Sequence, residues 1–223
     1  MIDSRAYHGL NFAIARNDSD RICYVLLPEG LHEDGMKMVE SSSEKYGCNI
    51  VLVTGMNWNR DLTPWQAPGV FKSEKPFEGR ANDFLKELMQ DYFPGIEQSL
   101  GINKPQRYLV GISLSGLFAI WTLFKTDIFK SIGSISGSLW YDNLLSWIES
   151  QDLKNDSIKV HLSLGDREKN SKDKRMATVE DASLAIAHIL SEKGCNVDFN
   201  LVPGTHFSPI IPRLEMAFES ILA

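Results

Sequence analysis

A three-layer α/β sandwich, with helices on both faces of a mainly parallel sheet of about seven strands, is predicted by three features of this 223-residue chain. Short runs rich in branched apolar residues recur along it. Most segments between those runs carry apolar residues at helical spacing. No internal repeat or low-complexity linker interrupts the alternation, and the length suits one self-supporting α/β domain, read here as residues 1–223.

Taken in order, the runs Leu10 to Ala15 and Ile22 to Leu27 are separated by little more than Arg16 to Arg21. That spacing reads as a hairpin at an antiparallel N-terminal edge. Asn49 to Thr54 follows, apolar enough to be buried on both faces. Residues 56–80 are irregular and hold Trp58 and Trp65. Phe84, Leu85, Leu88, Phe93 and Ile96 then form one helical stripe. Tyr108 to Ile112 reads as a strand, GLFAIWTLF as the helix after it, and Ser131 to Ile135 as the next strand. A second irregular stretch, 137–156, contains Trp140, Tyr141 and Trp147; aromatics on long loops line a pocket or complete the core. Ile158 to Leu164 and Val197 to Val202 are the last strands. The helix between them repeats Val179, Ala182, Ile186 and Leu190 and ends at Gly194. Ser208-Pro209 opens a final helix with its stripe at Leu214, Phe218, Ile221 and Leu222. Strand–helix–strand units of this kind cross over right-handed.

Composition excludes several functions. A formal charge of −6 argues against a broad phosphate-binding surface. The cluster Lys169, Lys172, Lys174, Arg175 is interleaved with Ser and Asp and reads as a solvated loop rather than a nucleic-acid site. Cys23, Cys48 and Cys195 are odd in number and widely spaced, so neither a disulfide framework nor a zinc site is expected. The opening MIDSRAYHGLNFAIA has no charged segment leading into an apolar one, and no run approaches about 18 apolar residues. A soluble cytoplasmic protein is expected, with no membrane partner. No Gly-rich phosphate loop, H-E-x-x-H or Cys/His cluster occurs, so no metal and no cofactor are expected.

One segment carries chemistry. In Gly111-Ile112-Ser113-Leu114-Ser115-Gly116 a serine sits between a strand-like and a helix-like run, with small residues two before and two after it. That is the pattern of a nucleophile elbow, where bulk at either flanking position would collide across the turn. A plain strand-to-helix turn is the competing interpretation. Ser115 is a weaker nucleophile candidate, because Ser113 rather than glycine stands two residues before it.

A serine nucleophile needs a base. His188 lies in a helix, His161 in a strand and His8 near the N-terminus, all more suited to structural or surface roles. His32 follows the second strand and could border the site. His206 falls in PGTHFSP after the last strand, where the chain order Ser, acid, His would put the base. KVHLSLGDRE supplies two acids after the penultimate strand, Asp166 and Glu168. Glu168, three residues past Gly165, is preferred, which makes Asp166 a turn residue; a Ser–His dyad aided by backbone groups is the remaining option. The backbone N–H of Leu114 is one oxyanion donor, and Gly30 or Leu31, in the loop after ICYVLLPEG, would supply a second.

These pieces resemble the esterase family of the α/β-hydrolase fold that includes esterase D-like enzymes, antigen 85 mycolyltransferases and enterobactin esterases, closest to the siderophore-esterase branch. The resemblance runs through NRDLTPWQAP, FLKELMQDYFPGIE, VGISLSGLFAIWTLFK, FKSIGSISGSLWYD, SLGDREKN and PGTHFS. It implies an α/β-hydrolase sandwich and cofactor-free hydrolysis of a small-molecule ester through an acyl-enzyme. Ser113 would be the nucleophile, His206 the base, and Glu168 or Asp166 the acid. Arg60, Trp65, Trp140 and Phe207 would edge the substrate pocket, with the insertions 56–80 and 137–156 bordering it. Two departures stand out: Ser115 replaces the family's usual glycine, and PEGLHEDG replaces its aspartate-glycine turn. An acyltransferase or thioesterase on the same triad, or a non-catalytic binding protein on the same scaffold, are the alternatives.

Overall fold

Backbone pairing in a computed structural model, described for residues 2–70 and 75–223, places eight strands in one sheet. The elements run β1 (Ile2–Tyr7), β2 (Leu10–Ala15), β3 (Arg21–Leu26), α1 (Glu33–Tyr46), β4 (Asn49–Thr54), α2 (Trp58–Asp61), β5 (Gln66–Ala67), β6 (Phe77–Glu78) and α3 (Ala81–Glu87). A π turn, Leu88–Tyr92, joins α3 to α4 (Phe93–Leu100). Then follow β7 (Gln106–Ile112), α5 (Leu114–Thr122), β8 (Phe129–Ile135), α6 (Leu144–Ser150), β9 (Lys159–Gly165), α7 (Val179–Glu192), β10 (Asn196–Val202) and α8 (Ile211–Leu222). The sheet order is β1-β2-β4-β3-β7-β8-β9-β10, and β5 pairs only with β6. Pairing is parallel from β4 across to β10 and antiparallel at β1/β2 and β2/β4. This is the α/β-hydrolase sandwich, with eight strands where about seven were expected.

The antiparallel edge is real but differently built. The expected hairpin between Leu10–Ala15 and Ile22–Leu27 does not form, because β4 lies between β2 and β3. The reason is the Asn49 side chain at the start of β4. It accepts from the Asn17 N–H (2.9 Å) and donates to the carbonyls of Ser19 (2.9 Å) and Arg21 (3.1 Å), so the short connection is drawn over the end of β4. The edge hairpin is instead β1/β2, turned at His8 and Gly9, both with positive φ (47° and 89°), as a two-residue primed turn requires. No residue of β1 is buried, so it carries no apolar run to mark it.

Helices α1 and α8 cover one face, where Met38, Val39, Leu214, Phe218 and Ile221 pack on Cys23, Val25, Ile50 and Val110. Helices α3 to α7 cover the other, with Phe84, Leu117, Phe118, Leu144 and Ile186 packed on Tyr24, Val51, Leu109 and Leu162. The face residues alternate along β7, Leu109 to one core and Val110 to the other, as the period of two demands. The carboxyl ends of β3, β7, β8, β9 and β10 therefore share one edge, and the loops leaving it converge there.

Asn49→Ala should destabilise the protein by about 1–3 kcal/mol in urea denaturation, because it leaves one partly buried donor and two carbonyls without their partner. A loss below about 0.5 kcal/mol would show that the connection is held by other contacts.

Candidate active site

Ser113 stands between β7 and α5 with φ 58° and ψ −121°, a region non-glycine residues rarely occupy. A Cβ on Gly111 would overlap the Ser115 carbonyl, so the tight turn needs glycine there. Ser115 is wholly buried and makes contacts a glycine could not. Its hydroxyl accepts the Ile112 N–H at 2.7 Å and lies 2.7 Å from Leu26 O and 2.8 Å from Ile112 O, so its proton ties the elbow to the end of β3 or to itself. The Ser113 backbone is held by Ile135 O on its N–H (3.0 Å), and its carbonyl accepts from Leu117 and Ser138 (3.1 and 2.9 Å).

Glu168 sits just past β9, 8% exposed, and its Oε2 lies 3.0 Å from His206 Nδ1. Its Oε1 accepts from the Ser136 hydroxyl (2.5 Å), the Gly165 N–H (2.8 Å) and Arg213 Nη2 (3.1 Å). Burial pushes this carboxyl's pKa up, but hydrogen bonds from His206, Ser136 and Gly165 outweigh it and hold it at about 2. Glu168 is thus an ionised, oriented acceptor for the imidazole N–H. Asp166 has a different task. Its carboxylate accepts the Gly204 N–H (2.9 Å) and its own N–H donates to Val202 O (2.8 Å), anchoring the loop that carries His206.

Ser113 and His206 are both partly exposed. No hydrogen bond joins them among the described residues; the Ser113 hydroxyl lies 3.5 Å from that of Ser138. Two clefts meet at His206. One, of about 220 Å³, is lined by Ser136, Trp140, Glu168, Met176 and Phe207. The other, of about 340 Å³, is lined by Gly30, Leu31, His32, Ile112, Phe207 and Ile210. Gly30 and Leu31 line the second cleft, whereas Ser113 and Leu114, the first residue of α5, are in neither lining; Ile112, next to Ser113, is the elbow residue that reaches the second cleft.

The remaining candidates separate. Trp140 lines the first cleft and Phe207 both, and Phe207 is 92% exposed with its ring centroid 5.3 Å from that of His206 and the two rings nearly perpendicular. Arg60 and Trp65 are in neither lining. Arg60 pairs with Asp61 at 2.7 Å. Trp65 donates to Asp142 O (2.9 Å) and packs on Tyr141 and Trp147, joining the insertions 56–80 and 137–156 to each other. Residues 71–74 of the first insertion lie outside the described residues. His161 is buried against Asp198 (3.0 Å), and His188 faces Glu192 on the surface of α7.

Ser136, Ser138 and Arg213 escaped the sequence reading. The first two lie in SISGSLWYD, a cluster of small residues directly after an apolar strand that the family resemblance includes without assigning either serine a role. Arg213 is 4% exposed on α8 and carries no local signal at all. Among the described residues no helix is long and apolar enough to cross a membrane, no group of three or more His, Cys, Asp or Glu could hold a metal, and the three cysteines are free and buried.

A half-buried serine on a strained strand–helix turn, faced by loops bearing a histidine and its carboxylate partner, places the protein in the α/β-hydrolase class. The chain belongs to the family described as "Putative esterase", whose model matches residues 34–208. It is 28% identical over 181 residues to the uncharacterised protein YbbA of Bacillus subtilis (strain 168), covering 78% of this chain and 72% of that one. It is 26% identical over 148 residues to the ferri-bacillibactin esterase BesA of the same organism, covering 63% of this chain and about half (51%) of BesA. Its fold is similar to that of an IroE-like serine hydrolase from Shewanella oneidensis, with TM-score 0.78 at 19% identity, covering 98% of this chain and 78% of that one.

Because Glu168 has a folded pKa near 2 against 4.5 for the free carboxyl, its ionised form stabilises the fold above pH 4.5, and that contribution is lost as pH falls from 4.5 to 2. In acid titration of stability, Glu168→Gln should remove a pH dependence of at most about 3 kcal/mol across that window. An unchanged profile would mean the carboxylate is not held as described.

Proposed function

We propose that the protein is a serine carboxylic-ester hydrolase. The observation that carries this is the Glu168–His206 hydrogen bond on the loops facing the strained Ser113. Ser113 Oγ attacks the ester carbonyl while His206 Nε2 takes its proton. Glu168, on Nδ1, holds the ring so that Nε2 is the free acceptor and stabilises the imidazolium. The oxyanion accepts from the Leu114 N–H at the start of α5 and from Gly30 or Leu31. His206 returns the proton to the leaving alcohol, and water, deprotonated the same way, frees the acyl group. The missing Ser113–His206 hydrogen bond is in keeping with resting enzymes, where such bonds tighten only with substrate.

The two clefts meeting at His206 accommodate the acyl and alcohol parts of a small or medium ester, with Trp140 and Phe207 at the rim. The kinship with BesA makes siderophore-like esters the first class to try. Trp65 and Arg60 are assigned structural roles on the contacts above rather than contact with substrate.

Treatment with a fluorophosphonate should give a single adduct on Ser113. Ser113→Ala and His206→Ala should each lower kcat by on the order of 10⁴ or more with the fold intact, and Glu168→Ala should lower it more than Asp166→Ala. Substantial ester turnover by Ser113→Ala would overturn the mechanism.

A further inference from the structure

The segment Ser136-Gly137-Ser138 touches both ends of the proposed triad. We infer that it couples the nucleophile to the acid: the Ser138 hydroxyl is a catalytic group that holds Ser113 Oγ, and Ser136 is a positioning residue acting through Glu168. The inference rests on the reading of Ser113 as nucleophile.

The backbone makes the bridge. Ile135, the last residue of β8, accepts the Ser113 N–H at 3.0 Å, and the Ser138 N–H returns to Ser113 O at 2.9 Å, so the segment brackets the nucleophile from both sides of its own backbone. The Ser136 N–H donates to Ser163 O of β9 at 2.7 Å, tying the other end to the strand that leads into Glu168. The side chains repeat the division. Ser136 Oγ donates to Glu168 Oε1, and Ser138 Oγ faces Ser113 Oγ. Both serines are buried, 1% and 3% exposed.

The segment is held where it is by constraint. Ser136 has φ 46°, a conformation a serine keeps only where its surroundings over-determine it. A Cβ on Gly137 would strike Ser134 Oγ, and a Cβ on Gly116 would come within 2.9 Å of Gly137 Cα. The segment is therefore pressed against the first turn of α5, the helix that begins at the nucleophile, and a side chain between the two serines would have to displace the Ser134 hydroxyl. At 3.5 Å the Ser138 contact is longer than the roughly 2.7–2.8 Å of a strong hydroxyl pair. The two hydroxyls are therefore neighbours that a slight shift brings into bonding range, a contact weak enough to yield readily to His206.

The test measures Ser113 labelling by a fluorophosphonate and turnover of a p-nitrophenyl ester, for Ser138→Ala, Ser138→Cys and Ser136→Gly, each alone and with Glu168→Ala. Ser138→Cys keeps the bulk, and glycine at 136 suits the positive φ, so folding is preserved if alanine at 138 is not tolerated. Ser138→Ala should lower kcat about tenfold with KM within twofold, with or without Glu168, and Ser138→Cys should fall between. Ser136→Gly should lower kcat several-fold in the parent and have no further effect once Glu168 is gone. A parent labelled at Ser113 whose 138 variants stay within twofold overturns the inference and leaves the hydrolase reading standing. Equal losses for Ser136→Gly with and without Glu168 overturn its assigned route. A parent neither labelled nor active overturns the hydrolase reading and the inference with it.

Discussion

The strained backbone at Ser113 is the constraint on which the rest of the site depends. A residue at φ 58° stays there only if its neighbours forbid the relaxed alternatives. Here they do so by crowding. Gly111 leaves no room for a side chain beneath Ser115, Gly116 presses on Gly137, and the Ser115 hydroxyl sits wedged between the turn and the end of β3. Every one of these contacts exists because β3, β7 and β8 are adjacent and parallel, so their carboxyl ends emerge together. The crossed-over strand order is what brings the loop after β3 to the elbow at all.

Burying an ionised carboxylate beside that elbow is unfavourable unless its charge is met by donors. Glu168 meets the condition asymmetrically. Three donors fill Oε1, leaving Oε2 to His206 alone. The orientation of the imidazole thus follows from which oxygen is already occupied. Arg213 adds a positive charge that is as deeply buried as the carboxylate itself. Such a pair adds little net stability, since desolvation of both partners offsets their attraction. What it does is fill Oε1 as a third donor and stop the carboxylate from turning toward another partner.

How much of this was legible in the sequence follows from how local each signal is. The strands β2, β3, β4 and β7 to β9 show as apolar runs because most of their residues are buried in the sheet; β1, with no buried residue, does not, while the edge strand β10 still shows through Val197, Phe199, Leu201 and Val202, although none of them is fully buried. The short Arg16–Arg21 connection suggests a hairpin by length alone, and one side chain thirty residues away, Asn49, overrides it. Ser113, Glu168 and His206 were readable because each follows a strand, in a fixed chain order. Ser136, Ser138 and Arg213 were not, since their meaning comes from contacts between segments remote in the chain. Ser115 shows in the sequence only as a small residue in place of the family's usual glycine, while its hydroxyl makes three contacts at once.

The three groups of the proposed triad also differ in how firmly they are held, and the difference is ordered. Ser113 and Glu168 are fixed at strand ends, one by backbone strain and the other by three donors on one oxygen. His206 rides on a loop tied down at Gly204 by Asp166 and, two residues past the histidine, by the Ser208 hydroxyl on the Thr205 N–H. Phe207, almost fully exposed, lies within that loop, so whatever fills the clefts presses on the most adjustable of the three. The hydrogen bond between Ser113 and His206, absent among the described residues, is one whose completion would fall to the loop rather than to either strand end. A site arranged the other way, with a loose serine and a rigid base, would have to reorganise the strained turn instead, which is the costlier change.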